Sequence, residues 1–271
     1  MKWLTLTIVL LAGSVRANPF FAMDTAVRDL KELDTVKELG YAGIGWKVGA
    51  PDQVAASAEQ VRQRGLKLFA IYGGALLTKT NLTWSPNIEA DIVALKGTGT
   101  IIWLPINSKE VAKSSPDGDT VAVPALQRLA DLAANNGVRI AIYPHTGCWA
   151  ERAQDAVRLA KLVNRPNFGA TFNLCHCLMV GDEAKIPEIL TEAVPYLFLV
   201  TINGADKDAG HTKWDRLIQP LDAGSYDVGI VLRKLKELNY TGPIGLQGFG
   251  VKLPVKENLT RSMNGWRKLN P

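Results

Sequence analysis

The chain has 271 residues, of which 47% are hydrophobic, and it carries a formal net charge of +5 at pH 7. This hydrophobic fraction suffices for a large core, and no run beyond the N-terminal segment stays apolar for the ~18 residues that a membrane-spanning helix requires. No Lys/Arg cluster is interleaved with aromatic residues, so nucleic-acid binding is not predicted.

The first predicted element is a secretory signal peptide. Lys2 supplies a positive charge, Leu4 to Ala12 form a short apolar run, and Val15-Arg16-Ala17 places small residues around a cleavage point after Ala17. The alternative is a buried N-terminal helix. Cleavage would leave a mature chain of residues 18–271 with a charge of +3, because Lys2 and Arg16 would be removed without any acid. We therefore expect a secreted or periplasmic protein with no membrane partner.

From residue 18 onward, the chain repeats one unit, in which a β-rich run and a turn precede an amphipathic helix. In Thr25–Leu39, for example, Leu30 and Leu33 belong to an apolar series at helical spacing, and Gly40 follows where a helix C-cap is expected. The predicted strands are Phe20–Met23, Ala42–Trp46, Leu66–Tyr72, Thr100–Pro105, Arg139–Tyr143, Phe168–Asn173, Leu197–Ile202 and Ile244–Gln247. The other predicted helices are Val54–Arg64, Val123–Asn135, Glu151–Val163, Ile186–Ala193 and Val228–Leu238.

This alternation predicts a parallel sheet with right-handed crossovers. Eight such units in about 250 residues favour a closed (β/α)8 TIM barrel as a single domain over residues 18–271. The alternative is an open doubly wound sheet. Its nucleotide-binding version has no support, because no Gly-x-Gly-x-x-Gly follows the first predicted strand.

The chemistry of a TIM barrel lies where the strands end and the βα loops begin. Six of the eight predicted strand ends carry polar or ionisable residues. These strand-end positions are Asp24, Lys47, Tyr72-Gly73-Gly74, Asn107, Tyr143 to Cys148, Asn173 to Cys177, Asn203 to Asp206, and Gln247 to Gly250.

Four of these segments resemble the xylose-isomerase-like TIM barrels, the superfamily of sugar phosphate isomerases and epimerases. Val138 to His145 resembles the family's fifth strand, which usually ends in Glu followed by Asn-His. Asn167 to His176 resembles the sixth, which ends in Asp-x-x-His. Leu199 to Asp206 resembles the seventh, with His-x-x-Asp, and Gly242 to Phe249 resembles the eighth, with Gly-hydrophobic-Glu. The resemblance covers most of the mature chain and is clearest from about residue 138.

The resemblance implies a sugar site in which the family's metal ligands are replaced. In the family, two glutamates, an aspartate and a histidine hold one divalent ion, and carboxylates move a proton at the substrate carbon. The matching positions here are Tyr143, Asn173, Asn203 and Gln247. Because divalent ions are held largely by anionic oxygens, we assign no metal site, and a bound divalent metal is the alternative. Amides both donate and accept hydrogen bonds, which suits sugar hydroxyls.

Three residues are candidates for catalysis. His176 matches the histidine of Asp-x-x-His, and its ordinary pKa of about 6.5 suits a general acid or base. His145 lies in the preceding loop, and Asp206 matches the aspartate of His-x-x-Asp. The alternative for each histidine is a structural hydrogen bond, and the alternative for Asp206, Lys207, Asp208 and His211 is a solvated loop.

Two further residues are candidates for substrate binding. Lys47 could bind an anionic group or act as a base of lowered pKa, although its alternative is an extended, solvated side chain. Trp103, together with Trp46 and Tyr143, could form an apolar wall for a sugar ring.

The three cysteines, Cys148, Cys175 and Cys177, all follow the fifth and sixth predicted strands. In an oxidising compartment we expect one disulfide, between Cys148 and either Cys175 or Cys177. A soft-metal site that also uses His145 and His176 is the second possibility, and free thiols without a metal are the third.

These observations leave three functions open. The first is an exported sugar isomerase-like or lyase-like enzyme that removes a proton beside a carbonyl, with His176 as the base. The second is a carbohydrate-binding barrel without turnover, and the third is an enzyme with a relocated metal. The expected partner in each case is a small carbohydrate.

Overall fold

The computed structural model describes residues 18–45, 51–210 and 213–270, except for the side chains of residues 51 and 52. Within these residues, eight parallel strands close into a barrel. The barrel strands are β1 (Phe20–Met23), β2 (Gly43–Gly45), β3 (Lys67–Tyr72), β6 (Ile101–Leu104), β8 (Arg139–Ile142), β9 (Phe168–Asn173), β10 (Leu197–Ile202) and β11 (Ile244–Gln247). Around the barrel they are paired in the order β1-β11-β10-β9-β8-β6-β3-β2. The predicted TIM barrel is therefore confirmed, and each predicted strand overlaps one of these eight.

Helices follow the strands and cover the outside of the barrel. They are α1 (Leu30–Glu38), α2 (Pro51–Gln63), α3 (Ile88–Ala94), α4 (Asp119–Ala134), α5 (Ala153–Val163), α6 (Leu174–Met179), α7 (Ile186–Ala193), α8 (Trp214–Leu217), α9 (Gly229–Glu237) and α10 (Val255–Leu269). No helix among the described residues has the length and apolarity that crossing a membrane would need.

The first helix begins five residues later than its apolar spacing predicts. Asp24 and Ala26 have φ angles of 50° and 62°, so the left-handed backbone there cannot continue as a helix. The helix starts instead after Asp29, whose carboxylate accepts a hydrogen bond from the Glu32 backbone N–H at 2.8 Å. The Glu32 side chain accepts from the Asp29 N–H in return, which completes a capping box.

A second, three-stranded sheet was not predicted from the sequence. Strand β4 (Ala75–Leu77) pairs with β5 (Leu82–Trp84) in antiparallel fashion and with β7 (Ile106–Ser108) in parallel. It is built from the segments that follow β3 and β6, so it extends the βα loops at the C-terminal end of the barrel.

Two hydrophobic layers show which side chains of the barrel strands point inward and which point outward. An inner cluster, which includes Phe21, Met23, Trp103, Tyr143 and Leu199, fills the barrel. An outer cluster packs between the strands and the helices. Because side chains alternate along a strand, a residue next to an outer-cluster residue points into the barrel.

Candidate active site

The four positions that the sequence singles out lie together at the C-terminal ends of neighbouring strands. Tyr143, Asn173, Asn203 and Gln247 directly follow Ile142, Phe172, Ile202 and Leu246, which all belong to the outer cluster. Strand alternation therefore directs all four toward the barrel interior. Their strands β8, β9, β10 and β11 are adjacent in the barrel. The four residues are 4%, 1%, 0% and 2% exposed, so they form a buried group beneath the mouth.

The amide of Asn173 is held at both ends by threonines of the barrel. Its Nδ2 donates to Thr171 Oγ1 at 3.1 Å, and its Oδ1 accepts from Thr201 Oγ1 at 2.8 Å. Thr171 Oγ1 in turn donates to the Ile142 carbonyl at 3.0 Å. The strand register produces this arrangement, because Asn173 lies directly opposite Thr201. Asn173 is therefore a fixed element of a hydrogen-bonded ladder.

Asn203 is satisfied at only one end of its amide. Its Nδ2 donates to the carbonyls of Leu217 at 2.6 Å and Gly204 at 3.0 Å, which ties β10 to the loop above it. Its Oδ1 is buried and has no hydrogen-bond partner within the described part of the chain. A buried acceptor without a partner is costly, so this oxygen marks a position where a water or a ligand hydroxyl fits.

Tyr143 and His176 form a buried pair, with the phenol oxygen 2.8 Å from Nε2. The backbone N–H of Thr146 points at Nδ1 at 3.3 Å, and the Thr146 hydroxyl lies 3.2 Å from the same nitrogen. Because a backbone N–H can only donate, Nδ1 must be the unprotonated nitrogen. In the neutral imidazole Nε2 therefore carries the hydrogen and donates it to Tyr143.

The surroundings of this pair keep both groups uncharged. Burial lowers the pKa of His176 well below its usual range, and the neighbouring His145 adds to the effect. The two imidazole rings lie 4.2 Å apart between centroids. Burial also raises the pKa of Tyr143 well above that of a free phenol. Trp214, which is 37% exposed, packs edge-on against His176 and separates it from solvent.

Tyr72 connects this pair to a carboxylate at the rim. Its hydroxyl donates to Asp24 Oδ2 at 3.3 Å. Hydrogen bonds from the side chains of Gln247 and Tyr143 lower the pKa of Tyr72, but burial and the charge of Asp24 outweigh them and raise it overall. Tyr72 and Asp24 are both among the strand-end positions selected from the sequence, but no motif assigned a role to either of them.

Trp103 packs against Tyr72 and Tyr143 on the side facing the barrel interior. Its ring stacks on Tyr143 with centroids 4.2 Å apart, and it is fully buried in the inner cluster. Its indole N–H has no hydrogen-bond partner among the described residues. The predicted sugar-stacking residue therefore forms the floor of the site, with Tyr143 between it and the mouth.

Asp206 is not part of this group. Asp206 is paired with Arg216, whose Nε lies 2.9 Å from its carboxylate, and this hydrogen bond lowers the pKa of Asp206. That geometry fits a surface ion pair in the loop after β10. Lys47 lies outside the described residues, as do Trp46 and His211.

The three cysteines are buried free thiols, so the expected disulfide is not formed. They have separate surroundings: Cys148 donates to Asn107 Oδ1 at 3.2 Å, Cys175 lies near Tyr143, and Cys177 lies near Asp182. No group of three His, Cys, Asp or Glu side chains within residues 18–45, 51–210 and 213–270 is arranged to hold a metal ion. The soft-metal alternative therefore has no donor set among these residues.

Comparisons with known proteins match most of the chain. Residues 33–269 fit the family model of the xylose isomerase-like TIM barrel. No curated protein sequence matches the chain significantly. Many solved structures do match. The IOLI protein, solved with a bound zinc atom, has 18% identity and a TM-score of 0.74, and the match covers 93% of this chain and 97% of that one.

Two solved sugar epimerases are also similar to this chain. The 3-keto-D-glucoside 4-epimerase from E. coli has 17% identity and a TM-score of 0.68, with 93% of this chain and 99% of that chain covered. The D-allulose 3-epimerase from Methylomonas sp., solved in complex with D-allulose, has 17% identity and a TM-score of 0.69, with 93% and 98% covered. At these identities, the similarity establishes the fold.

Proposed function

Because the chain belongs to the xylose isomerase-like TIM barrel family, we propose that it is an exported protein that acts on a small carbohydrate by proton transfer next to a carbonyl carbon. The observation that carries the proposal is the Tyr143–His176 hydrogen bond of 2.8 Å, at the C-terminal end of the fifth barrel strand. The signal-like pattern of residues 1–17 supports export. Similar folds are solved for a 3-keto-D-glucoside 4-epimerase and a D-allulose 3-epimerase.

The pair has the properties that a neutral acid–base couple requires. A neutral imidazole accepts a proton at neutral pH, and the depressed pKa of His176 keeps it in that form. The adjacent Tyr143 hydroxyl can donate or accept as the imidazole changes its protonation state. A positioned acid–base group of this kind contributes roughly 10²–10⁴-fold to the rate.

The polar atoms around the pair suit a polyhydroxylated ligand. The unpaired Asn203 Oδ1 is an acceptor for a hydroxyl hydrogen of the ligand. Because this oxygen is buried, a ligand that donates to it removes the cost of an unsatisfied acceptor. Trp214 packs edge-on against His176 and is itself partly exposed, so we expect a ligand that reaches this pair to displace it.

The divalent ion of the family does not fit the residues that occupy its positions. Tyr143 stays a neutral phenol because burial raises its pKa, and Asn173 has both amide ends engaged by threonines. Asn203 and Gln247 add only neutral amides. A hard cation is held largely by anionic oxygens, so this donor set binds Mg²⁺ or Mn²⁺ weakly. We therefore derive no step through a metal ion.

The proposal is tested by solvent isotope exchange. The mature protein, residues 18–271, is incubated in D₂O with D-fructose, D-allulose or a 3-keto-D-glucoside, and deuterium uptake at the carbon beside the carbonyl is followed by NMR. We expect uptake on one of these sugars, unchanged by EDTA and reduced at least about 100-fold in Tyr143→Phe. The matched control is Tyr196→Phe, which removes a phenol from the outer layer. Uptake that EDTA abolishes would contradict the metal-independent site.

A binding protein without turnover is the second candidate, and burial favours it. All four strand-end side chains are at most 4% exposed, and threonines fix the Asn173 amide at both ends. Side chains held in this way can bind a ligand in one geometry without moving, as a binding protein requires. Calorimetric binding of a sugar that shows no deuterium uptake would select this function over the first.

A further inference from the structure

Asp24 is a carboxylate next to the buried pair whose role the proposed chemistry leaves open. It follows β1, the neighbour of β11, and its side chain is 18% exposed. Its φ of 50° is unusual for a residue other than glycine. Backbone conformations of this kind persist where the surrounding structure requires them, and they cluster at functional sites.

Among the residues that the structure describes, the Asp24 carboxylate has no close ion pair. Arg28 Nη2 lies 3.8 Å from Oδ1, and the Arg28 side chain is 58% exposed, so the contact is long and largely solvated. Oδ2 accepts instead from the Tyr72 hydroxyl. Asp206, in contrast, is held by Arg216 at 2.9 Å. Of these two carboxylates, only Asp24 touches the buried group.

Tyr72 is placed to connect Asp24 with the Tyr143–His176 pair. The Tyr72 and Tyr143 rings lie 5.7 Å apart between centroids, and their hydroxyls interact. Two hydrogen bonds lie at the ends of this row, from His176 Nε2–H to Tyr143 and from Tyr72 O–H to Asp24. Because Tyr143 already accepts from His176 and Tyr72 already donates to Asp24, the hydrogen left for the neighbouring phenols is that of Tyr143, with the Tyr72 oxygen as its acceptor. A row of donors that ends on a carboxylate is the arrangement through which protons pass by successive transfer.

We propose that Asp24 supplies the carboxylate of this site and exchanges protons with the Tyr143–His176 pair through the Tyr72 hydroxyl, an inference that rests on the proposed proton-transfer function. The carboxylate then comes from the first barrel strand, and the barrel centre stays neutral. Asp24 acts through Tyr72 and is in this sense a positioning residue.

The transfer balances without any other reactant. A proton that reaches Nδ1 of His176, next to the half-buried Thr146 hydroxyl, converts the ring to imidazolium. The Nε2 proton passes to Tyr143, the Tyr143 proton to Tyr72, and the Tyr72 proton to Asp24. Asp24 ends protonated and His176 ends neutral, while each tyrosine loses one proton and gains one. No electrons are transferred, and the reverse sequence returns the proton.

The relay is tested without any sugar, by NMR exchange of the His176 Nε2 proton with water. The protein is the mature chain labelled with ¹⁵N-histidine, and His176→Gln assigns the signal. We expect Tyr72→Phe and Asp24→Asn each to slow the exchange by about 10-fold or more, because each removes the path to solvent. The double variant should be no slower than either single variant, since both interrupt one path.

The sign of the change separates the relay from a structural role. A variant that only loosened the packing would open the site to water and accelerate the exchange. Unchanged or faster exchange in Tyr72→Phe, or in Asp24→Asn, would overturn the relay. Asp206→Asn and Tyr196→Phe are the controls and should leave the rate as it is. Because no sugar is present, a protein without turnover still gives a result on the relay.

Discussion

Replacing Asn173 by aspartate restores the residue type that the family usually carries there, and the structure predicts that it destabilises this protein. Thr201 can still donate to one carboxylate oxygen, as it does to Asn173 Oδ1 at 2.8 Å. The other oxygen faces Thr171 Oγ1 at about the present 3.1 Å. Thr171 has already given its only hydrogen to the Ile142 carbonyl, so two acceptors then face each other.

The size of the effect follows from burial. Asn173 is 1% exposed, and a charge left uncompensated in such a place costs about 3–5 kcal/mol. We take about 3 kcal/mol for the ionised form, which lowers the Tm by roughly 6–12 °C for a domain of this size. If the aspartic acid is protonated instead, its O–H replaces the lost amide donor to Thr171, and most of this cost disappears.

The effect of Asn173→Asp must therefore depend on pH. Burial raises the folded-state pKa of the new acid above the unfolded value of about 3.9. The folded state then keeps the proton longer than the unfolded state, so stability is retained at low pH and lost as pH rises through the folded-state pKa.

Thermal and urea unfolding at pH 5 and pH 8 measure this dependence. The Tm difference between wild type and Asn173→Asp should be several degrees larger at pH 8 than at pH 5. The control is Asn81→Asp at an exposed position, which should change little at either pH. An Asn173→Asp protein as stable as wild type at pH 8 would mean that a counter-ion reaches this position. The site would then not require a neutral side chain at residue 173.

Three further predictions follow from other residues. Burial lowers the pKa of His176 in the folded state, so the unfolded state binds a proton more readily and the protein loses stability as pH falls below about 6.5. His176→Gln removes this titration and should therefore reduce the loss of Tm between pH 7 and pH 5. Gly245→Ala should destabilise by about 2 kcal/mol in urea unfolding, because the added Cβ would lie 2.5 Å from the Phe21 ring inside the barrel; an unchanged midpoint would show that Phe21 moves freely. Iodoacetamide at pH 8 should modify the native thiols at least about 100-fold more slowly than it modifies glutathione, since burial raises the pKa of Cys148 to about 11 and that of Cys175 to about 12. Dithiothreitol should not change the Tm, because the three thiols are free.

The sequence predicts the barrel well because its signal is local. Each barrel strand is a short apolar run followed by an amphipathic helix, and both patterns can be recognised within about 15 residues. The β4–β5–β7 sheet lacks such a signal. Its strands have three residues each, and Ala75 pairs with Ile106, which is far away in sequence. The start of α1 was misplaced because apolar spacing does not report the left-handed backbone at Asp24 and Ala26.

The strand-end rule locates the site but not the role of each residue in it. Alternation alone brings Tyr143, Asn173, Asn203 and Gln247 into the barrel. Their partners depend on the register between strands and on the loops above. The link from Asn173 to Thr201 exists because β9 and β10 pair in one register, and Asp206 is neutralised by Arg216 of the following loop. Neither contact has a local sequence pattern.

One electrostatic reason accounts for the lack of charge at all four buried strand-end positions. Carboxylates at these four positions would repel one another in a barrel centre of low dielectric unless a cation neutralised them, and each unpaired charge would cost several kcal/mol. Neutral side chains avoid this cost and can be satisfied by threonines and backbone carbonyls, as the Asn173 amide and the Asn203 Nδ2 are. A site that lacks the cation is therefore more stable when all four positions are neutral together. The charge needed for proton transfer can then be placed at the rim, where Asp24 is partly hydrated and costs less.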